Sequence, residues 1–231
     1  MHDALLPLHT LTLENYRPSA YCRGVACTSR EGFVPVSCTL EAGRATGLWS
    51  GFGGGAWVLA TCIGGRAEPQ QRQEGRILWN GRPVTNRELA ARACFIGEHP
   101  KEHWLKCMYP TVRGGIKRAL KKSGLPYTVK EIKAMFFLTD ARLDRRIDRI
   151  GSEIWLASMA IGFAGGKDVF CYPWMYGQFE RYLRVAKELG IFDMLRQHGK
   201  LVLVPSVNEV LLRDCCDCLL HLNVDGTLKI E

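Results

Sequence analysis

Nothing in the 231 residues approaches the roughly 18 consecutive uncharged apolar residues that a membrane span needs. The longest apolar run, IWLASMAIGFAGG, is short and follows a helix-cap signal. The opening residues, MHDALLPLHTL, lack a basic segment followed by a long apolar core, so no secretory signal is expected. Internal repeats and low-complexity tracts are also missing. Zinc spacing is missing too: Cys215, Cys216 and Cys218 cluster, but no second pair at suitable spacing accompanies them. The remaining thiols include Cys38, Cys62, Cys94 and Cys171, which lie inside apolar runs. They read as small buried hydrophobes of a reducing compartment, not as a disulfide framework.

What remains is the composition of a cytoplasmic globular chain, 47% hydrophobic, long enough for one large domain with an inserted subdomain. The net charge of +8 is concentrated between Arg113 and Arg149. Such a patch suits nucleic acid, anionic lipid, nucleotide phosphates or an acidic partner, and it equally suits a solvated helical face. No aromatic platform interleaves with it, since Tyr127, Phe136 and Phe137 read as core or turn residues, so nucleic acid is not the expected partner.

Periodicity divides the chain. LHTLTLEN and FVPVSCTL alternate as strands, and RATGLWS reads as a third. A glycine loop and a short helix over 56–63 follow. In RILWNGRPV, Asn80-Gly81 predicts a two-residue hairpin. Thr85 with Glu88, and Thr128 with Glu131, match capping boxes that open helices. ACFIG is a short buried strand. From about 98 to 150 the pattern is helical and basic. Ser152 is positioned to cap the helix EIWLASMAIGFA. DVFCY and KLVLV read as strands buried on both faces, separated by a helix carrying Phe179, Tyr182, Leu183 and Ala186. Ser206 is positioned to cap a helix with Glu209 at its third position, and CLLHLN leads to a hairpin at Asp225-Gly226. Strands alternating with helices predict a mostly parallel α/β sheet.

The stretch SGFGGGAW, residues 50–57, stands between a strand and a helix, where a phosphate-cradling loop is built. In order along the chain, EAGRATGLWSGFGGG, GRILWNGRPV, RACFIGE, RLDRRIDRIGSE, KDVFCYPWM and KLVLVPSVNEVLLRDCCDCLLHLNVDGTL resemble the segments of an ATP-binding cassette, the nucleotide-binding domain of ABC transporters. The wording is closest to cassettes of carbohydrate importers. The resemblance covers nearly the whole chain. It implies a P-loop NTPase-like fold in a single unit over 1–231. Residues 1–98 would hold an N-terminal antiparallel β subdomain and the Walker A core, 99–150 an inserted helical subdomain, and 151–231 the remaining core.

Carried over residue by residue, the resemblance exposes losses. The Walker A loop would be Ser50, Gly51, Phe52, Gly53, Gly54, Gly55, Ala56 and Trp57. Ala56 stands where a lysine reaches the β- and γ-phosphates, and Trp57 where a hydroxyl binds magnesium. Glu98 takes the Q-loop glutamine position and retains an oxygen for a cation. The signature motif falls on Ile150, Gly151, Ser152 and Glu153, with isoleucine at the serine position and Ser152 as a substitute donor. Walker B ends in Pro173 and Trp174 without a carboxylate. The nearest acids are Asp168, at the far end of the strand, and Glu180, which also matches the D-loop acid. Val207 takes the H-loop histidine position, and neither Asn208 nor Glu209 beside it supplies a cation. Tyr16 or Tyr21 is a candidate for stacking on adenine, against the plainer reading of a half-buried strand tyrosine.

Phosphoryl transfer depends on positioning and charge stabilisation, and here lysine, metal ligands, base and switch histidine are all replaced. The expectation is therefore a catalytically inactive cassette with no required cofactor and at most weak ATP and magnesium binding. It would pair with itself or another cassette, or with a membrane permease, at the inner face of the membrane. A divergent ATPase and a basic-patch binder of nucleic acid or anionic surfaces are the alternatives.

Overall fold

The computed structural model describes residues 6–17, 19–21, 30–32, 35–51, 55–66, 74–97, 110–222 and 228–230. In chain order, β1 (Thr10–Arg17), β2 (Ser19–Tyr21), β3 (Arg30–Gly32) and β4 (Val36–Glu41) precede β5 (Ala45–Trp49) and α1 (Ala56–Ile63). Then come β6 (Glu74–Trp79), β7 (Arg82–Pro83), α2 (Asn86–Arg92) and β8 (Ala93–Phe95). The helices α3 (Val112–Ser123), α4 (Val129–Met135), α5 (Asp140–Leu143) and α6 (Ile154–Ala164) follow. The chain ends through β9 (Val169–Cys171), α7 (Glu180–Glu188), α8 (Ile191–Gln197), β10 (Leu201–Ser206), α9 (Glu209–Cys215), β11 (Cys218–Leu222) and β12 (Leu228–Ile230).

The alternating strands build an antiparallel sheet in the order β4-β1-β6-β7, while β2 and β3 form a separate ladder. Leu11, Leu13, Val36, Cys38, Leu40, Ile77 and Trp79 all turn inward from it. Alternation along β1 would next bury position 15. Instead the register shifts between Leu13 and Tyr16, Asn15 adopts a left-handed φ of 46°, and Tyr16 points inward. The bulge presses on β6, where a Cβ at Gly75 would stand 2.2 Å from the Asn15 carbonyl oxygen. At the β6–β7 turn Asn80 and Gly81 have φ of 51° and 80°, the mirror-image turn that matches strand twist.

The second sheet has the order β12-β11-β5-β10-β9-β8, with five parallel strands and β12 antiparallel at one edge. β10 is buried at every residue because both its faces are covered. Leu201 and Leu203 face the antiparallel sheet and α1, whereas Val202 and Val204 face α6 to α9. Helix α1 is apolar nearly all round, as a helix wedged between two sheets must be; only Trp57 and Thr61 keep surface. Helices α3, α4 and α5 contribute Val112, Ile116, Ile132 and Leu143 to the core on the α6 side.

Both capping boxes form: Thr85 with Glu88 opens α2, and Thr128 with Glu131 opens α4. Two expected caps do not. Residues Gly151–Glu153 already form a tight 3-10 turn running into α6, so Ser152 lies inside a helical turn and cannot take the extended backbone a cap needs. At α9 the cap is Asn208, whose Oδ1 accepts from the Leu211 amide at 3.1 Å, not Ser206. β11 and β12 pair antiparallel, and the expected turn at Asp225-Gly226 lies outside the described residues. No helix among the described residues is long and apolar enough to cross a membrane.

Candidate functional site

Because β10 lies between β5 and β9, the C-terminal ends of these three strands converge. β5 runs out at Trp49, and α1 starts after Gly55, whose φ of 91° is the left-handed geometry glycine favours. Phe52, Gly53 and Gly54 lie outside the described residues. Ser50 is fully buried and its Oγ accepts the Ala56 amide at 3.3 Å, so the first donor of α1 is satisfied within the chain. Ala56 has no exposed surface and Trp57 is half-buried. The Trp49 indole donates to the Val207 carbonyl at 3.1 Å and stacks obliquely on His221. Val207 thus serves through its backbone.

After β9, Tyr172 is fully buried, Pro173 and Trp174 are half-buried, and Met175 is fully buried. The Met175 amide donates to the Pro205 carbonyl at 2.9 Å. The Ser206 hydroxyl, itself fully buried, donates to the Met175 carbonyl at 2.7 Å and accepts the Asn208 amide at 3.0 Å. Asn208 extends this clasp, donating its side-chain amide to both Glu180 oxygens at 3.2 and 3.1 Å. One hydroxyl and one carboxamide therefore tie β10, the segment after β9, α7 and α9 together. The local sequence carries no signal for this clasp, because Ser206 and Met175 are far apart along the chain.

The two acids nearest the Walker B position part company. Asp168 sits at the opposite end of β9, almost fully buried, and pairs with Arg92 and with Lys200 at 3.3 Å. Glu180 is at the same end as the glycine loop, and it is engaged by Asn208. Ile150 is 2% exposed and packs in the core with Ala157 and Met159, while Gly151 and Ser152 are exposed. Glu153 pairs with Arg142 at 2.8 Å. Glu98 lies outside the described residues. Tyr16 takes the plainer role of a strand tyrosine and is buried more deeply than the half-buried position expected: its ring lies inside the antiparallel sheet, out of reach of a stacking base, and burial pushes its phenol pKa well up. Of Tyr21 only the backbone, in β2, is described.

Burial also decides the thiols. It pushes Cys38 up to about 12, and Cys62 and Cys215 up to about 11, so at neutral pH they are protonated and unreactive. Among the described residues no group of three or more His, Cys, Asp or Glu is arranged to hold a metal.

The whole arrangement matches solved transporter components. An ATP-binding subunit of an ABC transporter superimposes with a TM-score of 0.67 at 14% identity, covering 96% of this chain and 89% of that one. The fold is that of an ATP-binding cassette. CbiO1 from Clostridium perfringens, part of the CbiONQ transporter complex, gives a TM-score of 0.62 at 13% identity, over 97% of this chain and 88% of that one. A bacterial Atm1-family ABC exporter with ATP bound gives 0.65 at 16% identity over 100% of this chain, which spans 40% of the exporter chain. No protein-family model and no curated protein sequence matches the chain. Identities this low establish a cassette fold and leave function to the site.

Proposed function

We propose that this chain is a catalytically silent cassette, one unit over 1–231 with segments 1–98, 99–150 and 151–231, that acts by binding. Its targets would be a permease, an active cassette or a regulatory protein. The observation that carries this reading is the engagement of the converging strand ends by their own neighbours. Ala56 has no exposed surface and its amide is held by Ser50, and a half-buried tryptophan follows it. Pro173 and Trp174, just past the strand that would supply metal ligands, carry no carboxylate. These residues do not fit a magnesium-bound triphosphate, and no hydrolytic step is derived through one. Ile150 supports the same reading, because its hydrocarbon side chain has no donor for a partner's nucleotide and is spent on the core.

A location beside a membrane permease is part of the proposal, and CbiO1, which belongs to a transporter complex, supports it by likeness of fold. Calorimetry with ATP and magnesium tests the silent site: no heat of binding is expected, and clear micromolar binding refutes it. Light scattering of mixtures with active cassettes tests the partner. A strictly monomeric chain that binds no cassette and no permease overturns it. The competing reading, a divergent ATPase, draws on Glu180 at the appropriate strand ends. It requires magnesium-dependent phosphate release that is abolished by Glu180→Gln or Glu98→Gln.

A further inference from the structure

An unpaired strand edge offers N–H and C=O groups to any chain that can match them, and proteins guard against this with short edge strands, lysine or proline. The described edge strands other than β4 follow that rule. β2, β3, β8 and β12 have three residues each, and β7 has two, Arg82 and Pro83. β4 breaks it: VSCTLE is six residues long, ends its sheet, and holds no lysine, arginine or proline. Hydrogen-bond phase fixes which of its groups turn outward. The Ala42 amide donates to the His9 carbonyl at 2.9 Å, so in the β1–β4 register Leu40 and Cys38 bond to Leu11 and Leu13. On the other side of β1 the Asn80 amide donates to the Thr10 carbonyl at 2.9 Å, which gives the same phase. Thr39 and Thr12 are accordingly a close pair without backbone bonds, and their hydroxyls meet at 3.1 Å. The backbone groups of Ser37, Thr39 and Glu41 therefore point away from β1, and no described residue hydrogen-bonds to them. A cavity of about 150 Å³ lies beside this edge, with Thr39, Leu40 and Glu41 on one side and Arg44, Thr46 and Cys218 on the other. The Thr39–Glu41 edge thus faces open space.

We infer that β4 pairs antiparallel with β4 of a second copy of this chain, Thr39 opposite Thr39 across a two-fold axis. The strand is complementary to itself in that register. Thr39 exchanges both backbone bonds with Thr39 of the second copy, and Ser37 exchanges both with Glu41 in each direction. Each copy supplies three N–H and three C=O groups, so six hydrogen bonds form and no outward group of these residues is left over. Sliding the register by two residues either way loses two of the six. On the exposed face Thr39 meets Thr39, a favourable cross-strand pair, and Glu41 meets Ser37, so the carboxylates do not oppose one another. On the inner face Leu40 meets Cys38, both buried, and the apolar row runs on across the seam. A foreign strand would have to bring these matches, whereas the chain already carries them. Thr46 and Cys218 stand at the starts of β5 and β11, so the seam lies at the end of the parallel sheet away from the glycine loop. The proposal is independent of the state of that loop.

Light scattering of the full chain tests it. The mass should rise from one chain towards two between about 5 and about 500 µM, because a short seam makes a weak dimer. Thr39→Pro removes the N–H at the centre of the seam, which β1 does not use, so the fold is kept and association should weaken about tenfold or more. Circular dichroism checks the fold. A charge pair gives the same answer without proline: Thr39→Lys and Thr39→Glu should each stay monomeric alone and associate when mixed. Thr39→Cys should yield a covalent dimer on mild oxidation, since the Cα atoms of a hydrogen-bonded pair stand about 5.5 Å apart, within disulfide reach. Ser37→Cys, about 14 Å from its counterpart, should not. A mass of one chain at every concentration would overturn the proposal. So would association that a folded Thr39→Pro protein retains, or Lys and Glu variants that stay monomeric when mixed. A monomer whose binding to an active cassette is lost in Thr39→Pro would also overturn it, giving the edge to a foreign strand.

Discussion

Replacing Ser206 by alanine removes one oxygen atom from the convergence of three strands. That oxygen serves two backbone groups, the Met175 carbonyl at 2.7 Å and the Asn208 amide at 3.0 Å, in a residue with no exposed surface. A buried group left without its partner costs about 1–3 kcal/mol. Met175 is fully buried and bears the larger share, while Asn208 keeps some access to water. Together the loss should be about 2–4 kcal/mol, which in a chain of this size lowers the midpoint of thermal unfolding by roughly 5–15 °C. Urea denaturation followed by tryptophan fluorescence measures the free energy, and calorimetry the midpoint. Ser37→Ala is the control: its hydroxyl also bridges two groups of Asn15, but in an exposed setting, so it should cost under about 1 kcal/mol. Asn208→Ala keeps the backbone amide that Ser206 accepts and removes the side-chain bonds to Glu180 and the Leu211 amide, so it should cost about 1–2 kcal/mol of its own through the lost cap. A Ser206→Ala protein within about 0.5 kcal/mol of the parent refutes the clasp.

Gly162→Ala should destabilise by about 1–3 kcal/mol despite better helix propensity, since the new Cβ would meet Cys94 Sγ at 2.6 Å and Cβ at 2.8 Å; denaturant midpoints read the change. Asp168→Asn should cost about 2–4 kcal/mol, because two cations lose their shared carboxylate at a nearly closed site, and the cost should shrink little in high salt. Hydrogen bonds from the Thr85 backbone and hydroxyl hold the Glu88 pKa below its ordinary value, and those from Thr128 do the same for Glu131. A carboxylate depressed by folding contributes stability that is full above its unfolded pKa, near 4.5, and is lost as pH falls through the lower folded value. Urea midpoints should therefore hold from neutral pH to about 5 and fall below it, and Glu131→Gln should remove part of that fall.

The elements set by neighbours a few residues away were legible in the chain itself. Asn80-Gly81 demands a mirror-image turn because both positions take positive φ. Thr85 and Thr128 cap their helices because the matching glutamates are three residues on. α1 is buried on nearly all sides because its sequence is apolar on nearly all sides. The order of these pieces was enough to point to a cassette, and the superpositions agree. The charge-free composition of the loop, from Ala56 and Trp57 to Pro173, Trp174 and Val207, was also plain without coordinates. Tertiary structure decided the rest, wherever a group chooses between a near partner and a distant one. Ser206 looked like a helix cap, but its hydroxyl is taken by Met175 from another segment, and Asn208 caps instead. Ser152 lost its capping role to the turn that leads into α6. Tyr16 faces the core only because a bulge at Asn15, set by close approach to Gly75, shifts the phase of β1. Periodicity and capping act over one turn of chain. Which buried donor meets which acceptor is settled by packing between segments, and a sequence read in order does not display that.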